Sequence, residues 1–359
     1  MDNKYLTIND VCKLLNISRP TLNSYREKYD ISHVVIKGRI LFDKLEILEK
    51  LYYKNEIVKP GLVFTVNNDF NVQKIEIAQN VFDIRQIKTI DPFGAFCLLC
   101  CLMGRVRRQE YIYLLVERNS ASFYLQSINF FHELTRAHSE YVHYNTSILK
   151  DVYIDSPETI VPLHLIGYRG GEKRILEDTY TNLKKQGFSD NLCSSLGWIL
   201  GEIADNTATH AGGVPCYFML SSAIGPSPIK FLILTTGDVG KGIPATVKSN
   251  KKYYELNDYQ ALITAFKSDV SSWDDIHKRG MGLNDLLGVT KGNNSWVRAE
   301  SNGKGVFFDF TKSSCKVNVR NAGTDVNGTR YCLILIDSEF NYVSKKEINQ
   351  LLDKHLEQL

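Results

Sequence analysis

Apolar residues in the first 30 positions recur at the spacing of an α-helix. Thr7 precedes a run with apolar side chains at Val11, Leu14 and Leu15, and threonine is a good N-terminal cap, so the pattern predicts a helix after Thr7. Ser18 is a second cap, and it precedes the sequence RPTLNSYREK, where proline is tolerated because it stands in the first turn. The pattern therefore predicts two short helices joined by a tight turn.

After the second predicted helix, the helical spacing ends and two short runs rich in β-branched residues follow. The stretch VVIKGRILF places Lys37-Gly38-Arg39 between the runs, and this is the turn chemistry of a β-hairpin. A further helix is predicted from Asp43 through Leu51. The first module therefore reads helix, turn, helix, hairpin, helix.

The second part of the chain alternates strand and helix. Strands are predicted at 62–66, 73–77 and 111–117, and helices at 95–103 and 122–134. The helix at 95–103 is apolar throughout, so we expect it to be buried.

The last part combines a long helix, glycine-rich loops and strands. The sequence LGWILGEIADNTATH predicts a helix over 196–210, and the apolar strand FLILTT ends in a glycine-rich loop. Ser344 caps a final helix with an apolar stripe at 348–356. That stripe fits either packing onto the preceding domain or contact with a partner helix, and the sequence leaves both open.

Length and composition fit a modular soluble protein. The chain has 359 residues, of which 43% are hydrophobic and 23% charged, a balance that excludes disorder over most of its length. We divide it into 1–55, 60–145, 160–337 and a C-terminal helix at 338–359.

The longest apolar run, at 94–104, is shorter than the roughly 18–20 residues that span a bilayer. Without a signal segment, and with eight irregularly spaced cysteines, we expect a cytoplasmic protein with reduced thiols and no membrane partner.

Three polar side chains share one face of the helix at 196–210. Glu202, Asp205 and Asn206 stand at i, i+3 and i+4. The amide oxygen of Asn206 suits Mg²⁺, a hard cation that keeps most of its waters, and Glu202 is placed to activate a water molecule as a general base. On its own this spacing occurs on many solvated helices.

Glycine-rich loops follow at two later points. Asp238 begins the loop DVGKGI after an apolar strand, and Lys278 begins KRGMGL at the start of a helix. Glycines let a backbone approach a flat ligand closely, and N–H groups at a helix N-terminus bind phosphate. The sequence has no phosphate-binding loop of the G-x-x-x-x-G-K-[ST] type.

These segments together resemble the GHKL ATPases, the superfamily of gyrase B, Hsp90, MutL, histidine kinases and anti-sigma kinases. Glu202-Ile-Ala-Asp205-Asn206 is similar to the N box of that superfamily, 238–243 and 279–283 to its two glycine boxes, and Gly328-Thr329 to its last motif. The resemblance implies a Bergerat-type α/β sandwich that binds ATP and Mg²⁺, with Asp238 on the adenine amine. The implied nucleotide-binding residues are Asp205, Asn206, Asp238, Gly240, Gly242, Ile243, Lys278, Arg279, Gly280, Gly282, Leu283 and Thr329.

The first module resembles the winged helix-turn-helix of the excisionase and MerR families. The resemblance rests on Leu6-Thr7, Asp10-Val11, Leu14-Leu15, the turn at 17–22 and Gly38-Arg39.

Residues 1–55 also hold the whole net charge of +3, with ten Lys and Arg against seven acids. We expect a DNA duplex as partner, with the second helix in the major groove and the hairpin on phosphates. The expected contacts are Arg19, Thr21, Ser24, Arg26, Lys37 and Arg39. A protein-docking role for the same module is the alternative.

The second module resembles the STAS domain of anti-sigma-factor antagonists. The strand-to-helix turn at 90–94 and residues 124–131 carry the resemblance. In signalling members a Ser or Thr in this turn accepts phosphate, whereas this chain has Pro92-Phe93 there. The departure favours contact with a protein partner over phosphorylation.

The combined prediction is an α/β protein of three modules: winged helix-turn-helix, STAS-like domain and GHKL ATPase. We expect a homodimeric, Mg²⁺-dependent ATPase that regulates DNA association, with phage defence as one setting that suits it. Two alternatives stay open: an anti-sigma-type protein kinase acting in trans, and a switch that binds nucleotide without hydrolysing it.

Overall fold

The computed structural model describes residues 4–359 apart from 53–60, 69, 137–138, 146–148, 150–157, 167–170, 215, 225–229, 269, 271–281, 313–314, 323–326, 339 and 342. The described residues form a mixed α/β structure with a three-stranded, a two-stranded, a four-stranded and a seven-stranded sheet. This confirms the predicted fold class.

The N-terminal part folds as two helices and a hairpin. Its elements are β1 (Tyr5–Thr7), α1 (Ile8–Leu15), α2 (Arg19–Lys28), β2 (Val34–Ile36), β3 (Arg39–Asp43) and α3 (Lys44–Ile47), which continues as a π-helical turn, Leu48–Tyr52. The Thr7 and Ser18 side chains accept hydrogen bonds from the first turns of α1 and α2, as their N-cap positions predict. The strands pair antiparallel in the order β1-β3-β2.

The middle of the chain contains two small sheets around a buried helix. Its elements are β4 (Leu62–Phe64), a 3₁₀ turn (Val72–Lys74), β5 (Glu76–Ala78), β6 (Val81–Asp83), a 3₁₀ turn (Ile84–Gln86), β7 (Ile87–Ile90), α4 (Pro92–Arg107), β8 (Ile112–Leu115), α5 (Ser120–Ser127), α6 (Phe130–Arg136), a 3₁₀ turn (Ser139–Tyr141) and β9 (Val142–Tyr144). Strands β4 and β7 pair in parallel, and the other sheet has the order β5-β6-β8-β9. The Asp91 carboxylate caps α4 and accepts hydrogen bonds from the backbone N–H groups of Gly94 (2.8 Å) and Val66 (2.7 Å).

Two predictions in this part are wrong in detail. The helix predicted at 122–134 is two helices, because Asn129 takes a left-handed conformation with φ of 63° between them, and asparagine is one of the few residues that tolerate it. The strand predicted at 73–77 begins only at Glu76, because Asn71 caps a 3₁₀ turn that occupies 72–74.

The C-terminal part is built on the seven-stranded antiparallel sheet. Its elements are β10 (Thr159–Ile166), α7 (Gly171–Lys185), α8 (Asp190–His210), β11 (Cys216–Ile224), β12 (Lys230–Asp238), α9 (Ile243–Lys248), α10 (Asp258–Thr264), α11 (Gly282–Gly292), β13 (Trp296–Ser301), β14 (Lys304–Asp309), β15 (Lys316–Asn321), β16 (Thr329–Ile336) and α12 (Lys345–Leu356). The strand order is β10-β11-β12-β16-β13-β14-β15. Ile348 and Leu352 of α12 are fully buried against this sheet's helices, so the C-terminal stripe packs within the chain.

The two faces of the large sheet belong to different cores. Phe218 and Leu220 of β11 lie in a core with the helices α8, α10, α11 and α12, whereas Tyr217 and Met219 lie in a core with α4 and α6. Successive side chains of a strand point to opposite faces, so the alternation in β11 follows directly. The middle of the chain therefore covers one face of the sheet and the C-terminal helices cover the other.

Buried charges lie at the contact between the middle part and the sheet. Arg298 and Arg330 are fully buried on adjacent strands and both pair with Glu300. The Arg298 guanidinium also donates to the backbone carbonyl of Val66 and lies 4.8 Å from the centre of the Phe93 ring. Buried charges require such partners, because removing either sign alone leaves an uncompensated ion.

The N-terminal part packs on the middle part as well. Leu48 is buried in one cluster with Val81, Tyr113 and Leu115, and the nearly buried Lys44 donates to the backbone carbonyl of Gln79 at 2.6 Å. Among the described helices, none has both the length and the apolar character needed to cross a bilayer.

Candidate functional site

Helix α8 carries the predicted acid and amide residues. Ser189 caps its start, and Leu196, Ile199 and Ile203 bury one stripe against the large sheet. That packing turns Glu202 and Asn206 towards the start of α11. The Asp205 side chain is exposed and does not line the cavity described below.

The start of α11 is in direct contact with these two side chains. A Cβ atom at Gly282 would overlap Glu202 Oε2 and would lie 3.1 Å from Glu202 Cβ and 3.3 Å from Asn206 Nδ2. Glycine therefore allows the close approach of α11 to α8, and a larger residue here would require the Glu202 side chain to move. Leu283 follows in the wall of the cavity. Lys278, Arg279 and Gly280, predicted for the same site, lie outside the described residues.

Asp238 ends β12 at the floor of the cavity. Its side chain is 6% exposed and accepts hydrogen bonds from the Gly240 N–H (2.7 Å) and the Thr207 hydroxyl (3.5 Å). Burial raises its pKa to about 6, against an ordinary value of 3.8, because desolvation disfavours the charged form. At pH 7 Asp238 is a desolvated acceptor.

Gly328 and Thr329, at the start of β16, lie beside Asp238 at the floor of the cavity. Gly328 adopts φ of +107°, and a Cβ there would overlap the backbone carbonyl of Asp238, so this approach is open only to glycine. Thr329 is nearly buried and lines the cavity beside Asp238.

Ser301, which is not among the residues predicted from the sequence, hydrogen-bonds to two of the loops around the cavity. Its hydroxyl accepts from the Ile243 N–H (2.8 Å) and donates to the Gly328 carbonyl (2.8 Å). The neighbouring Asn302 donates from its amide to the Lys241 carbonyl at 2.8 Å. The sequence feature that could have indicated Ser301 is its position just before Asn302-Gly303, a pair typical of hairpin turns.

One cavity is lined by residues from five separate parts of the chain. The space inside it that is open to the centres of water-sized molecules is about 100 Å³. Among the predicted residues, Asn206, Asp238, Gly242, Ile243, Gly282, Leu283 and Thr329 line it. Its other walls come from Ile203, Thr207, His210, Ala211, Thr246, Val247, Ala265, Val270 and Tyr331. Gly240 lies outside the lining, packed against Ala211.

Charges around Glu202 alter its acidity. Burial and the nearby Asp285 and Asp205 raise the pKa of Glu202, while a hydrogen bond from Trp198 and the charge of Lys345 lower it. Burial lowers the pKa of His210, which favours a neutral imidazole in the cavity wall.

The donors present fit a magnesium ion only in combination with a phosphate ligand. Within the described ranges, no group of three or more His, Cys, Asp or Glu side chains is arranged to hold a metal ion. Mg²⁺ commonly keeps several waters and takes one or two protein oxygens together with substrate phosphates. The amide of Asn206 meets that requirement as a single oxygen donor.

The predicted DNA contacts fall into two sets. Arg19, Ser24, Lys37 and Arg39 are exposed, and Lys37 and Gly38 form the hairpin tip with φ of 51° and 74°. Arg26 is instead partly buried, with its guanidinium 5.5 Å from the centre of the Phe42 ring and 3.0 Å from His33 Nδ1. Thr21 is also partly buried, and its hydroxyl lies 2.7 Å from that of Ser18.

Comparison with known proteins identifies the N-terminal part. A family described as a helix-turn-helix domain matches residues 5–50. No curated protein matches the chain in sequence. Among solved structures, the ATP-binding domain of topoisomerase IV of Francisella tularensis, in complex with a small-molecule inhibitor, is similar at 13% identity. That alignment covers 55% of this chain and 85% of the other, with a TM-score of 0.21, too low to carry an argument.

Proposed function

We propose that this protein is an ATP-binding and ATP-hydrolysing switch of the GHKL type, coupled to a DNA-binding helix-turn-helix domain. The observation that carries the proposal is the single cavity lined by Asn206, Asp238, Gly282 and Thr329, which are up to 123 positions apart in the sequence. Residues that the resemblance to the GHKL ATPases implies to act together line one cavity.

The polar groups of the cavity suit the parts of a nucleotide. The Asp238 carboxylate is an acceptor for an exocyclic amine, and the apolar side chains of Ile243, Val247 and Leu283 offer contact to a flat base. The other end of the cavity has Asn206 and the N-terminus of α11, which suits phosphate. Adenine at Asp238 and phosphates towards α11 is therefore the orientation that we propose.

Glu202 is proposed as the general base. Its carboxylate lies against Gly282, at the phosphate end of the cavity, where it would accept a proton from an attacking water. Bound Mg²⁺ would neutralise phosphate charge, and Asn206 is the residue proposed to hold it.

The helix-turn-helix match at 5–50 supports the coupling to DNA. Its cations Arg19, Lys37 and Arg39 are exposed, and they are the residues proposed to contact phosphates. The partly buried Arg26 is less suited to a base contact than the sequence suggests.

Calorimetric titration of the full chain with ATP and Mg²⁺ tests binding, and release of labelled phosphate tests turnover. We expect a single site per chain, with GTP binding much more weakly because its guanine presents a carbonyl where adenine presents an amine. Equal affinity for GTP would exclude Asp238 as the adenine contact. Label on a protein instead of free phosphate would favour the kinase alternative.

A further inference from the structure

The turn between β13 and β14 contacts two of the segments that border the cavity. Asn302 and Gly303 form this turn with φ of 48° and 74°, a pair of left-handed conformations typical of a two-residue hairpin. Ser301, the last residue of β13, is fully buried. Neither Ser301 nor Asn302 belongs to the cavity lining. Any influence of these two residues on the cavity must therefore pass through the segments that they contact.

Ser301 caps helix α9 from a distant strand. The helix begins at Ile243, and its N-cap residue Gly242 provides no side-chain hydrogen bond. The Ser301 hydroxyl accepts from the Ile243 N–H instead, at 2.8 Å, and donates its own proton to the Gly328 carbonyl, also at 2.8 Å. The first N–H groups of a helix have no acceptor within the helix, so an external acceptor stabilises its start. One buried hydroxyl thus joins the start of α9 to the residue that precedes β16.

The Asn302 side chain makes a second connection between the same segments. Its amide NH₂ group donates to the Lys241 carbonyl at 2.8 Å, and its amide oxygen accepts from the Gly328 N–H at 3.2 Å. Gly242 packs directly against the turn, because a Cβ atom there would overlap both Asn302 Oδ1 and Ser301 Oγ. Two adjacent side chains therefore hold residues 240–243 to Gly328 through four hydrogen bonds.

The segments joined in this way form the Asp238 end of the cavity. Gly242, Ile243 and Thr329 line the cavity together with Asp238, and Asp238 pairs with Thr329 at the end of the sheet. Loose segments would have to be ordered when a ligand binds, and that ordering would reduce the affinity. The proposed phosphate end is built on other elements, the helices α8 and α11.

We propose that Ser301 and Asn302 are positioning residues that preorganise the adenine end of the cavity by holding residues 240–243 to Gly328. The inference rests on the proposed binding of adenine beside Asp238. Neither side chain touches the nucleotide, and both act by ordering the two segments before it binds. Their loss should therefore weaken nucleotide binding without slowing the hydrolytic step, which takes place at the other end of the cavity.

The first test needs no nucleotide, because the two side chains are the acceptors of two backbone N–H groups. Amide hydrogen exchange of the full chain, resolved by residue with NMR, reports on both groups. Ser301→Ala should speed exchange at Ile243, and Asn302→Gly should speed it at Gly328, each by about 2- to 10-fold for the loss of one hydrogen bond. Asn302→Gly removes only the side chain, because glycine adopts φ of 48° without strain.

Matched control variants lie at the opposite end of β13. Ser295 is also a buried serine, whose hydroxyl donates to the Thr290 carbonyl at 3.4 Å. Asn294 also has a left-handed conformation, with φ of 51°, and it is exposed. Ser295→Ala and Asn294→Gly should leave exchange of the two amides unchanged. Unchanged exchange in the two test variants, or an equal rise in the controls, would overturn the proposal.

The second test measures nucleotide binding and turnover. The Kd for ADP and the KM for ATP should rise about 2- to 10-fold in Ser301→Ala and Asn302→Gly, while kcat changes less than twofold. Asn302→Asp keeps an acceptor for the Gly328 N–H but loses the donor to the Lys241 carbonyl, so it should weaken binding less than Asn302→Gly.

Two results of the second test would refute the preorganisation of the adenine end. One is wild-type affinity in variants whose exchange is faster, and the other is a loss of kcat as large as the rise in KM, which would indicate a general structural role. Faster exchange in both variants, with no nucleotide bound by any form, wild type included, would refute the proposed nucleotide site and support the bracing of the two segments.

Discussion

Replacing Asp238 with asparagine should weaken ATP binding and stabilise the empty protein at the same time. Asparagine keeps an oxygen for the Gly240 N–H bond of 2.7 Å. It also replaces one carboxylate oxygen with an NH₂ group, which cannot accept a hydrogen bond from an adenine amine. A buried hydrogen bond to a charged group is worth about 1.5–3 kcal/mol, so the affinity should fall about 10- to 150-fold.

The stability change follows from the raised pKa. Asp238 has a pKa of about 6 in the folded protein and an ordinary value of 3.8, and a difference of about 2 units corresponds to about 3 kcal/mol. Because the pKa is raised on folding, ionisation destabilises the fold. This cost is absent below both pKa values, grows between about pH 4 and pH 6, and is fully present at pH 7. Asparagine cannot ionise and so removes this cost, but its hydrogen bonds are weaker than those of a carboxylate, which reduces the gain in stability by about 1 kcal/mol.

Urea unfolding and calorimetry on the same preparations measure both effects. We expect the unfolding free energy of Asp238→Asn to exceed that of wild type by about 1–2 kcal/mol at pH 7.5 and to equal or fall below it at pH 4. Asp178→Asn, the same change at an exposed position of α7, should alter neither stability nor affinity. Unchanged ATP affinity, or a loss of stability at pH 7.5, would refute the reasoning about Asp238.

Three further predictions concern hydrolysis, DNA and the buried charges. Glu202→Ala should bind ATP but release phosphate about 10²–10⁴-fold more slowly; a wild-type rate would exclude it as the base. The double variant Lys37→Ala, Arg39→Ala should reduce the slope of log affinity against log salt by about 1.8 for duplex DNA, measured by fluorescence anisotropy. An unchanged slope would mean that the hairpin makes no phosphate contacts. Glu300→Gln should lower the free energy of unfolding by about 3–5 kcal/mol in urea, because it removes the buried carboxylate with which the buried guanidinium groups of Arg298 and Arg330 pair; a loss below 1 kcal/mol would contradict that reasoning.

Features set by local sequence were predictable. The match to a helix-turn-helix family confirms the predicted helix-turn-helix. Its N-caps at Thr7 and Ser18 could be predicted from the sequence because a cap hydrogen-bonds within three residues. The helix that bears Glu202 follows from the apolar spacing of Leu196, Ile199 and Ile203. The nucleotide assignments remain predictions, although the cavity gathers most of the predicted residues.

Features set by distant contacts were not predictable. Arg298 and Glu300 alternate with apolar residues in β13, a pattern that usually marks a solvent-facing side. They are buried because residues about 230 positions earlier, such as Val66, cover them. Trp198 is the opposite case, since this large apolar side chain is about half exposed, one helical turn before Glu202. Arg26, predicted to contact DNA, packs on Phe42 because β3 brings that ring beneath α2.

The shared core of the large sheet constrains how this protein can change over evolution. Modules that meet only through a linker can be exchanged by recombination, because each keeps its own interior. Here α4 of the middle part and strands β11, β12 and β16 of the C-terminal part fill a common interior, with the charges of β13 and β16 at the boundary. A foreign domain in place of residues 60–145 would need to match both the apolar shape and the buried charges of the sheet. The two parts must therefore be inherited together, as one unit of exchange.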